Sequence, residues 1–354
     1  MSKKTRQTNF ELLRIAAMFM VMILHYLLRT GLLPEAGEVP GGKGSAAVIA
    51  ESFCVVAVNV YVLISGYFLS AAAFSWKRIA AVIGQVLFYA LLIPPVLVIL
   101  GLLDVQKLTD VYHLWNCLFP VQTGHYWFVS AYIVMCLFSP LINAAIWQLE
   151  PKCFAKILAG LLLFFSIGKT ISPLQFATDR YGYEYGWFLC VYLIGAWIRR
   201  FGFQWMKNIR RALAVYLGSV LLTAGMELAL LGLAVRIPAL TYYASVPFHY
   251  NFLPCITGAV GLFACFYYMR IPDGAAAKIV SFFAPAAFGV YLIHEHVDVS
   301  LNWCRWMTEW TGFAGPVILI PAFTGCLLID KLRAVLFGWI GLAAKAALKH
   351  KKEA

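Results

Sequence analysis

Long apolar runs separated by short polar clusters occupy almost the whole chain. A helix needs about 20 mostly apolar residues to cross a bilayer. Runs of about that kind fall near residues 9–30, 46–69, 79–103, 126–148, 155–172, 184–200, 211–233, 248–269, 281–299 and 313–330. The pattern predicts an all-α, polytopic membrane protein with about ten transmembrane helices, read as one transmembrane domain over 1–354. The runs at 155–172, 184–200 and 281–299 are the shortest. No internal repeat, low-complexity tract or sizeable soluble segment interrupts the series, and Arg14 breaks the first run in a way that argues against a cleavable signal peptide.

Composition agrees. Hydrophobic residues make up 62% of the chain and charged residues 12%, about half the charged share of a soluble domain. The nine Cys lie mostly inside apolar runs without metal-finger spacing, which suits reduced thiols acting as small hydrophobes. The net charge of +12 is accounted for by where the cations sit. With the N-terminus inside, twenty of the 28 Lys and Arg fall in inner segments and seven in outer ones, Arg14 being the remainder. This asymmetry predicts both termini on the cytoplasmic side, so the basic balance calls for no nucleic-acid partner. The tail from about 334, and above all from Ala343, reads as a basic, lipid-facing helix end.

The informative polar residues lie inside the spans. Arg14 and His25 share the first run and are eleven residues apart. That is about three helical turns, within roughly 20° on one face and about 16 Å along the axis. Ionisable groups at such depth are expensive and mark function, although Arg14 is also shallow enough to snorkel. Depth places Glu51, His125, His294 and Glu295 in the outer half with His25, Asn59 near the middle, and Ser65-Gly66 in the inner half. For Asn59 and Ser65-Gly66, close helix packing is an equal alternative, and His125 before Tyr126-Trp127-Phe128 also fits an aromatic belt. A metal is not expected. His294 and His296 are two apart, about 200° around a helix, and no pair of His flanks a Glu in the zinc-protease pattern, although His294 and Asp298 share a face.

These segments, in order, resemble the integral-membrane acyltransferase type 3 family, in its surface-polysaccharide O-acetyltransferase-like branch. The matches are Arg14 with His25; Val58 to Leu69, around Ile64-Ser65-Gly66-Tyr67-Phe68; His125-Tyr126-Trp127-Phe128-Val129-Ser130; and Gly289-Val290-Tyr291-Leu292-Ile293-His294. Gly186-Trp187-Phe188 to Arg199-Arg200 resembles the polysaccharide-modifying branch. Two departures stand out. Many members are acidic where this chain has Asn59, and many carry an Arg-x-x-Arg after the Ser-Gly segment, where only Lys77-Arg78 is found here. No fused soluble hydrolase-like domain is expected.

The resemblance implies transfer of an acyl group, acetyl by default, to an envelope or extracellular polysaccharide or lipid-linked glycan in a bacterial-type cell membrane. Acyl transfer to a hydroxyl needs a base and a donor group for the oxyanion. His25 is expected as the general base or a transient acyl carrier, with Glu51 orienting it. Arg14 is expected to draw in anionic acyl-CoA as co-substrate, helped by Lys77 and Arg78. Substrate contacts are expected from Asn59, Ser65, His125, Trp127, His294 and Glu295, with Ser65 a minor candidate nucleophile. Outer aromatics, among them Trp115, Trp127, Tyr183 and Trp187, suit stacking on sugars as well as interfacial anchoring. Membrane lipid is the remaining partner, and no bound cofactor or metal is expected. The rival class is a transporter or flippase, which also combines many spans with buried charges; the lack of a repeat between the halves stands against it.

Overall fold

A computed structural model of the protein describes residues 7–172, 174–176 and 179–353, with side chains up to residue 339. Lys3, Lys4 and Arg6, and the side chains of the basic tail from Ala343, lie outside the described residues. Among the described residues the secondary structure is entirely helical, as bilayer physics requires of a chain with these apolar runs. The helices used below are α1 (Thr8–Arg29), α2 (Gly42–Cys54), α3 (Ala57–Leu69), α4 (Trp76–Ile99), α5 (Val111–Leu118), α6 (Trp127–Gln148), α7 (Pro151–Leu162), α8 (Tyr185–Phe201), α9 (Ile209–Ala234), α10 (Leu253–Tyr268), α11 (Ala275–Phe283), α12 (Ala287–His294), α13 (Trp303–Thr311) and α14 (Leu319–Glu353).

Nine helical stretches among the described residues are long and apolar enough to cross a membrane, against about ten expected. The one that falls short is 184–200, which forms α8, a helix of 17 residues. At 1.5 Å per residue it spans about 25 Å, less than a hydrocarbon core of about 30 Å. It is instead wrapped by protein, with Trp187, Phe188 and nearly every residue from Cys190 to Ala196 buried. The stretch expected at 281–299 also differs, because the helix ends at His294. The chain turns there, and this lifts Glu295, His296 and Asp298 off the helix. The second span runs from Gly42 to Leu69 but breaks at Val55–Val56 into α2 and α3. The fifth, Pro151–Ile171, contains a five-residue π-helical turn at Leu163–Ile167.

α1 is the centre of the bundle, packing on α2, α3, α10, α11, α12 and α14. Glu11 in its first turn and Arg29 in its last complement the helix dipole. Large apolar side chains such as Ile99, Leu141, Leu221 and Ile320 are exposed on the outer helices, the surface a lipid phase would cover. Interior contacts rely on small residues. A Cβ on Gly66 would fall 2.2 Å from the Tyr192 carbonyl oxygen, and one on Gly195 would fall 2.5 Å from the Leu63 carbonyl oxygen. The α3–α8 crossing is therefore backbone against backbone, the small-residue packing of membrane helices, and Gly66 in the Ser-Gly segment serves it. Gly195→Val should drive α3 and α8 apart and cost more than about 3 kcal/mol, the upper end of ordinary overpacking. Loss of the monodisperse peak in size-exclusion chromatography and a fall in thermal midpoint are expected; an unchanged midpoint would refute this account of the crossing.

Candidate active site

The bundle encloses a cavity of about 700 Å³ with Arg14, Arg78 and Arg199 towards one end and His25 towards the other. The first link from sequence to site is the face of α1. Its three-turn spacing puts Arg14 and His25 on the same cavity, with Met18, Val21 and Leu24 between them. Phe128, Val129 and Phe288 add to this apolar middle, while Trp127, Tyr183, Tyr250 and Tyr291 also line the space.

At the His25 end, α1 meets the end of α12. His25 Nδ1 lies 2.9 Å from His294 Nε2. His294 Nδ1 lies 2.6 Å from the Val290 carbonyl oxygen, which can only accept, so His294 carries its proton on Nδ1. Neutral His294 then offers a lone pair on Nε2, and His25 Nδ1–H is the donor between the two rings. The tautomers, assigned from these partners, leave the lone pair of His25 on Nε2, which has no hydrogen-bond partner among the described residues. Glu295 Oε1 sits 3.2 Å from His25 Nδ1, and Arg29 NH2 holds the other oxygen at 3.8 Å. Arg29 lies one turn after His25 on the same face. A carboxylate beside the proton-bearing nitrogen stabilises the imidazolium that forms when Nε2 takes a proton. His25 Nδ1, His294 Nε2 and Glu295 Oε1 are also the one group of potential metal ligands found among the described residues, all within 4.8 Å of one another. Sequence spacing missed this set because its members come from α1, the last residue of α12 and the turn that follows it.

At the other end, Arg14 pairs with Glu11 at 2.9 Å and lies over the Phe68 ring. Tyr61 fixes the backbone beneath it by donating to the Arg14 carbonyl oxygen. Arg199 stacks on Tyr67. A smaller cavity lined by Glu11, Arg14, Tyr61, Ala284, Pro285, Ala287 and Phe288 adjoins the same end. Arg78 lines the main cavity and Lys77 does not. Arg199 entered the sequence reading as an inner-side cation and as the end of the Gly186–Arg200 segment, and its cavity position has no signature in spacing.

Several expected contacts are placed elsewhere. Glu51 does not orient His25. Its Oε2 is buried without a hydrogen-bond partner, and it does not line the main cavity. The carboxylate beside His25 comes instead from Glu295, where the chain turns after α12. Asn59 does not line the main cavity and serves as an interior strut. Its amide donates to the Tyr250 carbonyl oxygen at 2.7 Å and its carbonyl accepts from Trp187 Nε1 at 3.0 Å. It thereby fixes Tyr250, which does line the cavity, and a neutral amide suits that double role where a carboxylate would not.

His125 also lies off the cavity. Its Nε2 accepts from the Val297 backbone N–H at 3.0 Å and its ring stacks on Tyr126. Burial pushes its pKa down to about 4, so it is a neutral acceptor pinning the turn after Glu295. Ser65 lines the cavity, with Oγ donating to the Tyr61 carbonyl oxygen at 2.8 Å. No base touches it, so nothing there activates a nucleophile. Trp127 lines the cavity with its ring near those of Tyr183 and Tyr250.

A membrane bundle with a cationic end, an apolar middle and an imidazole held by a second imidazole and a carboxylate has the parts of an acyl-transfer enzyme. A family model described as an acyltransferase domain matches residues 7–331, almost the whole chain. The chain belongs to the acyltransferase type 3 family and is a multi-pass membrane acyltransferase, moving groups other than aminoacyl groups. Searches of curated proteins and of solved structures return no match.

Proposed function

We propose that this enzyme carries an acyl group, acetyl in the simplest case, from cytoplasmic acyl-CoA to a hydroxyl of an envelope polysaccharide or lipid-linked glycan in the cell membrane. The observation that carries the reading is that one cavity reaches both Arg14 and His25. CoA is a polyanion on a long, thin pantetheine arm. Its phosphates suit the Arg14, Arg78 and Arg199 end, and the arm is long enough to cover the roughly 16 Å of α1 between Arg14 and His25. With the N-terminus cytoplasmic, as the Lys and Arg asymmetry favours, the Arg14 end of α1 opens to the CoA pool. The acceptor then enters from the His25 end, past Trp127, Tyr183 and Tyr250, whose faces suit sugar rings.

In the transfer step, His25 Nε2 removes the acceptor hydroxyl proton as its oxygen attacks the thioester carbonyl. Glu295 stabilises the imidazolium while His294 holds the ring. The tetrahedral intermediate then expels CoA thiolate, and the proton on Nε2 goes to the leaving sulfur, so His25 returns neutral and no external acid is consumed. The test is thiol release from acetyl-CoA by purified protein in lipid nanodiscs, with and without a glycan acceptor. Acceptor-dependent release of CoA is expected. A protein that binds the glycan but leaves the thioester intact would overturn the acyl-CoA reading.

A further inference from the structure

We propose that His25 Nδ1, His294 Nε2 and Glu295 Oε1 form a binding site for a divalent transition-metal ion such as Zn2+, and that an ion there switches the base off. The effect on turnover rests on the proposed role of His25; the binding does not.

Three observations carry the site. First, the ligand atoms converge, with His25 Nδ1 2.9 Å from His294 Nε2 and 3.2 Å from Glu295 Oε1. A tetrahedral zinc with bonds of about 2.0–2.1 Å spaces its ligand atoms by about 3.3 Å; the two edges at His25 are close to that, the third is no longer than 4.8 Å, and rotation of the Glu295 side chain would close it on an ion. Second, Glu295 Oε1 is a buried acceptor with no hydrogen-bond partner among the described residues, though it faces His25 Nδ1. Two acceptors, His294 Nε2 and Glu295 Oε1, thus confront one Nδ1–H, which hydrogen-bonds the imidazole only. Third, the outer contacts are those that orient ligands at metal centres. His294 Nδ1–H is tied to the Val290 carbonyl, which frees Nε2, and Arg29 NH2 stands at an ion-pair distance of 3.8 Å from the far oxygen of Glu295. Two imidazoles and one carboxylate suit zinc and leave a fourth position for water. His25 lines the cavity, which supplies an entry path.

The consequence for the base follows from proton bookkeeping at one ring. Metal ligation needs the Nδ1 lone pair, so the Nδ1 proton leaves to water and a neutral His25 takes one up at Nε2. The lone pair that would accept the hydroxyl proton is then gone, and the imidazole is neutral throughout.

The experiment uses untagged, chelator-stripped protein in nanodiscs, titrated with Zn2+ by calorimetry, comparing wild type with Glu295→Gln and His294→Ala. One tight equivalent in wild type, weakened at least tenfold in both variants, supports the site. X-ray absorption on the wild-type zinc complex, expected to show two imidazole nitrogens and oxygen, keeps the test decisive should a variant fail to fold. No tight equivalent, equal affinity in all three proteins, or a sulfur-ligated zinc overturns it. CoA release by wild type should fall as zinc is added and return with EDTA, and stimulation by zinc would overturn the off-switch. Absence of CoA release from zinc-free protein would instead count against the acyl-CoA reading, with the titration still interpretable.

Discussion

His25→Ala should lower turnover of acetyl-CoA about a thousandfold while leaving donor binding nearly unchanged. A positioned base contributes roughly 10²–10⁴ in rate, and the arrangement around His25 invests two further side chains in one nitrogen. His294 accepts from Nδ1, Glu295 lies beside the same atom, and Arg29 holds that carboxylate in place. All of this directs the lone pair to Nε2 without touching it. Removing the ring deletes the base and leaves the Arg14 end intact, so the loss should appear in kcat and not in the KM for acetyl-CoA. Binding is read separately, by displacement of a fluorescent CoA analogue, and folding by size-exclusion profile. His25→Gln should behave like the alanine variant, because an amide keeps hydrogen bonding but accepts no proton at neutral pH. Wild-type turnover in either variant would remove His25 from the chemistry.

The part of this site that was legible in the sequence is the part carried by one helix. Arg14 and His25 share a face of α1 by arithmetic alone, and Arg29 lies on it too. The remainder depends on how helices meet. Depth placed Glu51, His125 and His294 together in the outer half, but depth says nothing of rotation about a helix axis, and only His294 turned towards His25. Glu295 was read as a substrate contact from its position on a presumed continuous helix. The helix ends one residue earlier, and the turn swings the carboxylate back to His25 and Arg29. Asn59 shows the same limit from the other side. A polar side chain in mid-span reads as a site residue, yet it spans between the Tyr250 backbone and the Trp187 indole. The fold was read more fully, since apolar run length is a property of one segment at a time. The one span overcounted, α8, is the helix whose surroundings are protein. Gly66 and Gly195 set that burial, and their partnership lies 129 residues apart in the chain.

The second large effect is expected at the cationic end, where Arg14→Ala should raise the KM for acetyl-CoA about 10- to 100-fold with little change in kcat. A charge-assisted hydrogen bond is worth roughly 1.5–3 kcal/mol, and each 1.4 kcal/mol is tenfold in affinity. The neighbourhood adds a second contribution of the same sign. Arg14 is paired with Glu11 at 2.9 Å, and both line the cavity. Deleting the guanidinium leaves the Glu11 carboxylate facing an incoming phosphate with no partner of its own, so repulsion joins the lost attraction. Glu11→Gln in the Arg14→Ala background should therefore recover part of the affinity, while Glu11→Gln alone should tighten donor binding by freeing Arg14. Raised salt should weaken wild-type binding more than binding by Arg14→Ala, since fewer charges then meet the donor. The four proteins form a cycle read by KM and by analogue displacement. Equal KM values across it would place the CoA phosphates away from Arg14, and a fall in kcat without a change in KM would move Arg14 to the reacting thioester.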